Sequence, residues 1–197
     1  LSFIVADNTD GCIPTWGTHF TIEEATQSLD LDRRIALYRQ QGGNIVISFG
    51  GLLNSELAVT CTDEEKLFQA YKTVIDYYSV DTIDLDLEGS GLTDMEAMDR
   101  RIKVTKRLQE YYSDNEKDLA VWLTLPVIPQ GLTEDGTNVV SQFLMTGVDL
   151  AGVNVMTMNY GQSRDDQQSM SEASINALTE THRQLGILYN QVGISLN

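Results

Sequence analysis

One stretch of nine residues, Asp81–Gly89, constrains this chain more than any other. Its sequence DTIDLDLEG places Asp84, Asp86 and Glu88 at two-residue spacing, with aliphatic residues between them. This alternation is typical of a β-strand, in which the three carboxyl groups share one face at intervals of about 7 Å. Like charges that are brought together and partly desolvated favour protonation, so the pattern predicts a site of acid–base chemistry. Glu88, at the strand end, is the predicted general acid.

Two other interpretations of this stretch are open. The first is a calcium-binding loop, because D-x-D-x-E-G matches the first six positions of an EF-hand. The match fails at the twelfth position, where a bidentate Glu is required and Met95 stands. The second is a solvated acidic edge strand, which the acidic composition of the chain permits.

Short apolar segments alternate along the chain with longer segments of helical periodicity. This order predicts an α/β fold with a parallel sheet, either doubly wound or closed into a (β/α)8 barrel. Polar residues, glycines and a proline stand at the ends of several predicted strands, and no G-x-G-x-x-G follows the first strand. Both observations favour the barrel. The predicted strands are 1–6, 45–49, 82–88, 119–127 and 153–158. The predicted helices are 30–41, 134–146, 171–188 and two that begin at capping boxes, Thr62 with Glu65 and Thr93 with Glu96.

Three motifs at the ends of predicted strands resemble glycoside hydrolase family 18, the retaining chitinases. The segment from Asp81 to Glu88 matches the family signature D-x-x-D-x-D-x-E in full. The sequence SFGG from Ser48 resembles the S-x-G-G motif, and MNY ending at Tyr160 resembles the M-x-Y motif of the sixth barrel strand. The segments FIVAD, CIPTWG and LPV are similar to the bacterial chitinase branch of this family.

The length of the chain departs from that family. A barrel of this type has eight strands and about 250 residues, whereas five strands are predicted in these 197 residues. The resemblance places them as strands two to six, so we expect one partial catalytic domain over residues 1–197, an incomplete TIM (β/α)8 barrel. An open sheet with an uncovered apolar interior is expected to be unstable or to self-associate unless another segment completes it.

The resemblance implies a retaining, substrate-assisted mechanism that uses neither metal nor cofactor. In this family the strand-end Glu protonates the glycosidic oxygen, and the carbonyl oxygen of the substrate's own N-acetyl group is the nucleophile. Carried onto this chain, Glu88 is the acid and later the base. Asp86 orients the acetamido nitrogen, and Asp84 shares a proton with Asp86.

The same resemblance gives roles to five further residues. Tyr160 is expected to donate a hydrogen bond to the acetamido carbonyl, and Met158 to form part of the floor of the sugar site. Asn159 stands where this branch often has Asp. Ser48 and Gly51, from the S-x-G-G motif, are also expected at substrate-binding positions.

Two loop features and one strand residue allow more than one interpretation. Trp16 is either a sugar-stacking platform or a packed loop anchor. Cys12 and Cys61 follow the first and second predicted strands, so a disulfide between them is geometrically possible, with two free thiols as the alternative. Trp122 lies in mid-strand and is predicted to belong to the core.

Composition narrows the possible partners. With 29 acidic and 13 basic residues and a net charge of −16, the chain repels phosphate backbones and anionic membranes. We therefore expect neither nucleic acid nor a membrane as partner, and no apolar run reaches the roughly 20 residues of a membrane span. No signal peptide is visible in the sequence, although the resemblance implies a secreted protein.

The resemblance implies hydrolysis of β-1,4-N-acetylglucosamine linkages in chitin or chitooligosaccharides. A close alternative is an endo-β-N-acetylglucosaminidase that cuts the chitobiose core of N-glycans, because the same signature serves both substrates. A third is a catalytically silent chitin-binding lectin on the same scaffold. The presence of Glu88 argues against the lectin.

Overall fold

A computed structural model describes residues 1–196 as a parallel sheet covered by helices. The strands in chain order are β1 (Ser2–Ala6), β2 (Pro14–Trp16), β3 (Phe20–Thr21), β4 (Ile47–Gly50), β5 (Thr82–Asp86), β6 (Ala120–Ile128), β7 (Gly131–Leu132) and β8 (Leu150–Met156). Strands β1, β4, β5, β6 and β8 are parallel neighbours in that order. These are the five predicted strands, and their parallel pairing confirms the predicted fold class.

Short antiparallel strands extend the sheet at two places. β2 pairs with β1 and β3 with β2, while β7 forms a hairpin with the end of β6. Within residues 1–196, β8 pairs only with β6, and the parallel sheet is open between β8 and β1.

The helices lie on one side of the parallel sheet. They are α1 (Ile22–Ser28), α2 (Leu31–Gln40), α3 (Leu57–Thr60), α4 (Glu64–Tyr78), α5 (Ser90–Thr93), α6 (Met95–Asp114), α7 (Glu134–Met145) and α8 (Met170–Gln191), with a 3-10 turn at Gly161–Ser163. The five longer predicted helices are confirmed as α2, α4, α6, α7 and α8. The sequence analysis missed three short ones, α1, α3 and α5.

The two capping boxes predicted at Thr62 and Thr93 are wrong. In each case an Asp one residue later is the N-cap. Asp63 accepts hydrogen bonds from two amides in the first turn of α4 at 2.9 and 3.0 Å, and Asp94 does the same in α6 at 3.0 Å. A short carboxylate at the cap satisfies two free amides at once. Reciprocal capping boxes begin instead at Thr21 and Ser169.

The two faces of the parallel sheet differ in burial. The face toward the helices carries Ile83, Leu85 and their counterparts on neighbouring strands, which are buried except for the partly buried Val153 and Val155 of β8. The opposite face, here called the inner face, carries the acids of β5. On the inner face Phe3 and Val46 keep 36% and 40% of their side-chain surface exposed, so this face is open in the described part of the chain.

Trp122 lies on the inner face and not in the core, which corrects the prediction. Its side chain is half-buried, because alternation along β6 points it away from the helices. The ring occupies the space that a Cβ at Gly152 of β8 would need. Glycine at this position therefore makes room for the indole beside Asp84, with which Trp122 pairs in register.

Both alternatives to a site on β5 are wrong. Asp84 and Asp86 belong to a regular strand, which excludes a calcium loop. β5 lies between β4 and β6, which excludes an edge strand.

A disulfide joins Cys12 and Cys61, with 4.7 Å between their Cα atoms. Among the described residues no helix combines the length and apolarity that a membrane crossing requires.

Candidate active site

The candidate site lies on the inner face, where β5 ends between β4 and β6. Asp84 and Asp86 project from β5, and only 9% and 7% of their surfaces are exposed. Glu88 follows two residues after Asp86 and is half-buried at the carboxyl edge of the sheet. The two-residue spacing thus puts Asp84 and Asp86 on one face, and Glu88, the most accessible of the three acids, follows just beyond the end of β5.

Asp84 is fixed by hydroxyl groups from both neighbouring strands. Ser48 of β4 donates to one carboxyl oxygen at 2.6 Å, and Thr124 of β6 donates to the other at 2.7 Å. Asn154 of β8 donates in turn to the Thr124 hydroxyl oxygen at 3.3 Å, which leaves the Thr124 proton for Asp84. Asp84 therefore acts as an acceptor at both oxygens. The predicted proton sharing with Asp86 is not supported.

Asp86 has the opposite environment. Its Oδ1 atom is buried and has no hydrogen-bond partner within residues 1–196. Burial, and then the negative charges of Glu88 and Asp84, raise the pKa of Asp86 from its ordinary 3.8 to about 7. Asp86 can consequently gain or lose a proton near neutral pH, and it lines the cleft described below.

The glycines after β4 hold the backbone of the acid strand. Gly50 and Gly51 have φ angles of 105° and 83°, in the region that favours glycine. The Gly51 amide donates to the carbonyl oxygen of Asp86 at 3.0 Å. A Cβ at Gly50 would overlap with that same carbonyl oxygen, and one at Gly51 would come within 2.9 Å of the Phe3 ring. This motif brings two backbones into close contact.

Ser48 and Gly51 were predicted to bind substrate; Ser48 lines the cleft described below, Gly51 does not, and both contact the acid strand. Ser48 donates to Asp84, and Gly51 donates to the backbone of Asp86. Both residues support the acids, because their strand β4 is hydrogen-bonded along β5 in register.

An open cleft of about 480 Å³ lies over Asp84 and Asp86 on the inner face, and Glu88 lies outside its lining. Apolar side chains and one amide surround the two aspartates, which is the mixed lining typical of ligand sites. The lining residues are Leu1, Ser2, Phe3, Val46, Ser48, Asp84, Asp86, Trp122 and Asn154.

Tyr160 does not join the acids. Its side chain is buried among core residues, and its hydroxyl donates to Ser174 of α8 at 3.4 Å. Ser174 donates onward to the Thr157 carbonyl at 3.2 Å. The chain turns toward the helices after β8, so the predicted acetamide donor role of Tyr160 is not supported.

Met158 and Asn159 also lie beyond the end of β8. Met158 is 52% exposed, and Asn159 is exposed with a φ of 53°. Neither lines the cleft described above. The residue of β8 that does is Asn154, which the sequence analysis missed. The alternation V-N-V-M over 153–156, read in register with β6, was the signal that could have found it.

Trp16 is a packed anchor. It is 7% exposed, its indole nitrogen donates to the Tyr78 hydroxyl at 2.8 Å, and the two rings meet edge to face. A ring held in this way offers no free face to a sugar, so the stacking interpretation is wrong.

The chain is similar in sequence to two curated proteins. No family model matches the chain. It is 35% identical over 191 residues to the probable bifunctional chitinase/lysozyme of Escherichia coli (strain K12), an alignment that covers 94% of this chain and 21% of that protein. It is 33% identical over 191 residues to endochitinase 11 of Metarhizium anisopliae, covering 94% and 35%. The chain thus spans about a fifth and a third of these curated relatives.

Solved structures share the fold. The catalytic domain of a hyperthermophilic chitinase from Pyrococcus furiosus superimposes with a TM-score of 0.79 and 25% identity, covering 97% of this chain and 57% of that one. A GH18 chitinase from Pseudoalteromonas aurantia gives a TM-score of 0.62 at 16% identity, covering 98% and 65%. The latter shows the fold alone.

The fold is shared with these chitinases, and 94% of the chain aligns with two curated proteins that are named as chitinases. The chain also carries the complete D-x-x-D-x-D-x-E signature, and in both respects it is similar to glycoside hydrolase family 18.

Proposed function

We propose that this chain forms the acid-bearing part of a single catalytic domain that hydrolyses β-1,4-linked N-acetylglucosamine in chitin or its oligosaccharides. The observation that carries the proposal is the division of roles on β5. Asp84 is saturated with hydroxyl donors, whereas Asp86 keeps a free buried oxygen and a pKa raised to about 7 by burial and its acidic neighbours. Such a pair supplies one carboxyl group that is held by hydrogen bonds and one that can gain or lose a proton near neutral pH.

In the proposed reaction, Glu88 donates a proton to the glycosidic oxygen from the edge of the sheet. The carbonyl oxygen of the substrate's N-acetyl group attacks the anomeric carbon as the leaving sugar departs with that proton. Asp86, ionised at this stage, accepts the acetamido N–H at its carboxylate and balances the positive charge of the oxazolinium ion. Glu88 then takes a proton from a water molecule that attacks the anomeric carbon, which retains the configuration.

The names of the relatives favour chitin over the other substrates. Both curated relatives are named as chitinases, and one fold neighbour, a mutant chitinase domain from Pyrococcus furiosus, was solved with chito-oligosaccharides.

The disulfide between Cys12 and Cys61 favours an oxidising compartment, so we infer secretion. We also propose that the 197-residue polypeptide alone self-associates through its open inner face, which sedimentation at increasing concentration would reveal.

The test of the proposed function is hydrolysis of a fluorogenic chitotrioside by the full-length protein. Glu88→Gln keeps the shape of the side chain and removes the acid, so we expect kcat to fall by about 10²–10⁴-fold. Glu116→Gln, at an exposed turn, is the matched control and should retain activity.

Three results would contradict the proposal in different ways. Full activity of Glu88→Gln would remove Glu88 from the reaction. Cleavage of an N-glycan core, with the chitotrioside left intact, would support the glycan-core enzyme. Binding of the chitotrioside without any cleavage would support the lectin.

A further inference from the structure

A second cluster of charges lies on the helix side of the sheet, behind the acids. Arg101 of α6 is completely buried, and Glu56 at the start of α3 is 3% exposed. The guanidinium donates twice to Glu56 Oε2, at 3.0 and 2.5 Å. The Tyr71 hydroxyl of α4 donates to Glu56 Oε1, and the Ala58 amide donates to Oε2 at 2.9 Å. Three helices therefore meet at one carboxylate.

Stability alone is a weak reason for such a cluster. Removing two charges from water is costly, and buried ion pairs can often be replaced by apolar residues without loss of stability. Satisfied polar networks do, however, fix one arrangement of the elements that carry them. The position of this cluster in the fold therefore indicates which elements it holds in place.

The cluster touches the end of β4 from behind. Glu56 Cγ lies 3.4 Å from the point where a Gly50 Cβ would stand, and that point also falls against the Asp86 carbonyl. The Tyr71 ring packs edge-on against Phe49, with 5.0 Å between centroids. The segment between Gly50 and Glu56 is thus held at one end by β4 and at the other by the cluster.

We propose that Glu56, Arg101 and Tyr71 form a positioning cluster that holds the Gly50–Gly51 turn against the backbone of Asp86. The hydrogen bond from the Gly51 amide to the Asp86 carbonyl, 3.0 Å long, is the contact that transmits this restraint. The effect on catalysis rests on the proposed function, whereas the effect on the Gly51–Asp86 contact does not. The three residues touch no substrate and act through the acid strand.

The decisive variant is the double replacement Glu56→Met with Arg101→Met in the full-length protein. It removes both charges together, so neither is left buried without its partner, while the Tyr71 hydroxyl and the Ala58 amide lose their acceptor. We expect hydrogen exchange at the Gly51 amide to accelerate by about tenfold relative to amides of β6, because the turn opens locally. We also expect kcat on the chitotrioside to fall by about tenfold at unchanged KM, because a displaced Asp86 affects the reaction more than binding.

Each outcome has a defined meaning. Unchanged Gly51 exchange in a folded double variant would overturn the proposal. Faster exchange together with an inactive wild type would support the cluster and would count against the proposed function alone. Faster exchange with unchanged kcat would overturn the catalytic part of the proposal.

A gentler pair of variants covers the case in which the double variant does not fold. Tyr71→Phe removes one hydroxyl from the cluster and keeps the packing on Phe49. Tyr112→Phe is the matched control, since its buried hydroxyl donates to Asp76 at 2.8 Å near the amino end of β5. We expect faster Gly51 exchange only in Tyr71→Phe. Equal exchange in Tyr71→Phe and wild type would also overturn the proposal.

Discussion

Two groups of buried charges lie on opposite faces of the same part of the sheet, and they are built in opposite ways. On the inner face, Asp84, Asp86 and Glu88 bring like charges together and leave one buried oxygen unpartnered. On the helix side, Glu56 faces a cation, a tyrosine hydroxyl and a backbone amide, so its charge is balanced and its oxygens are bonded. The two carboxylates Asp86 and Glu56 are about equally buried, with 7% and 3% of their surfaces exposed.

The comparison teaches that burial alone does not decide what a charged group does. Burial is the largest single effect on Arg101 and lowers its pKa, but the charge of Glu56, together with Tyr71 and the hydrogen bonds to both, outweighs burial, and the pKa of Arg101 rises. Burial and the same carboxylate raise the pKa of Tyr71, which therefore remains a donor. These groups keep fixed protonation states, as a positioning device requires. Asp86, whose acidic neighbours add to the effect of burial, is instead ready to change its state.

The largest expected effect comes from making the same chemical change at both sites. Glu56→Gln leaves the Arg101 cation buried without a counter-charge and should destabilise the protein by about 3–5 kcal/mol. Asp86→Asn removes a repelled carboxylate and should not destabilise it at pH 7. Urea unfolding of both variants at pH 7 measures the difference.

The control for this pair is Glu64→Gln, which removes a surface ion pair with Lys103 at 3.6 Å. We expect its free energy of unfolding to change by no more than about 0.5 kcal/mol. Equal losses in Glu56→Gln and Asp86→Asn would show that the two groups do not differ as described.

The second effect tests the contact that joins the two regions. Gly50→Ala places a Cβ against the Asp86 carbonyl at a φ of 105° and should destabilise the protein by about 2–4 kcal/mol. Gly186→Ala, in α8 with open space around it, should stabilise by about 0.5–1 kcal/mol. Thermal unfolding of both variants checks the signs, and a harmless Gly50→Ala would mean that the backbones at this contact move apart easily.

Local patterns predicted the strands and the acids of β5, but they did not predict the Glu56–Arg101 pair. The five strands follow from short apolar runs, and the shared face of the acids follows from the two-residue period of β5. The Glu56–Arg101 pair joins residues 45 positions apart in a loop and a helix. No periodic signal links them, because only the packing of α3 on α6 brings them together.

Errors within the site have a similar cause. The direction of Tyr160 depends on how the chain leaves β8, and a motif of three residues does not contain that information. Asn154 lies inside a strand, where parity alone puts it beside Thr124. At the helix starts, adjacent Thr and Asp residues offer two possible caps, and the structure uses the Asp residues, which each bind two amides.

The smallest expected effect gives the sharpest test of the contrast, because it depends on pH. The pKa of Asp86 is 3.8 in an ordinary setting and about 7 in the fold, so between these values the folded protein binds more protons than the unfolded chain. The free energy of unfolding must then decrease as pH rises through this window, and the decrease is complete above about pH 7. Asp86→Asn cannot titrate and should be more stable than wild type by about 1–2 kcal/mol at pH 8, which is less than the full pKa shift implies because the open cleft lets water screen the charge, with little difference at pH 4. Urea unfolding of wild type and Asp86→Asn from pH 4 to 8 measures this, with Glu64→Gln as the reference for the other carboxyl groups. Parallel curves for wild type and Asp86→Asn would mean that Asp86 is as well solvated as a surface acid, and the distinction between the responsive inner face and the fixed outer cluster would disappear.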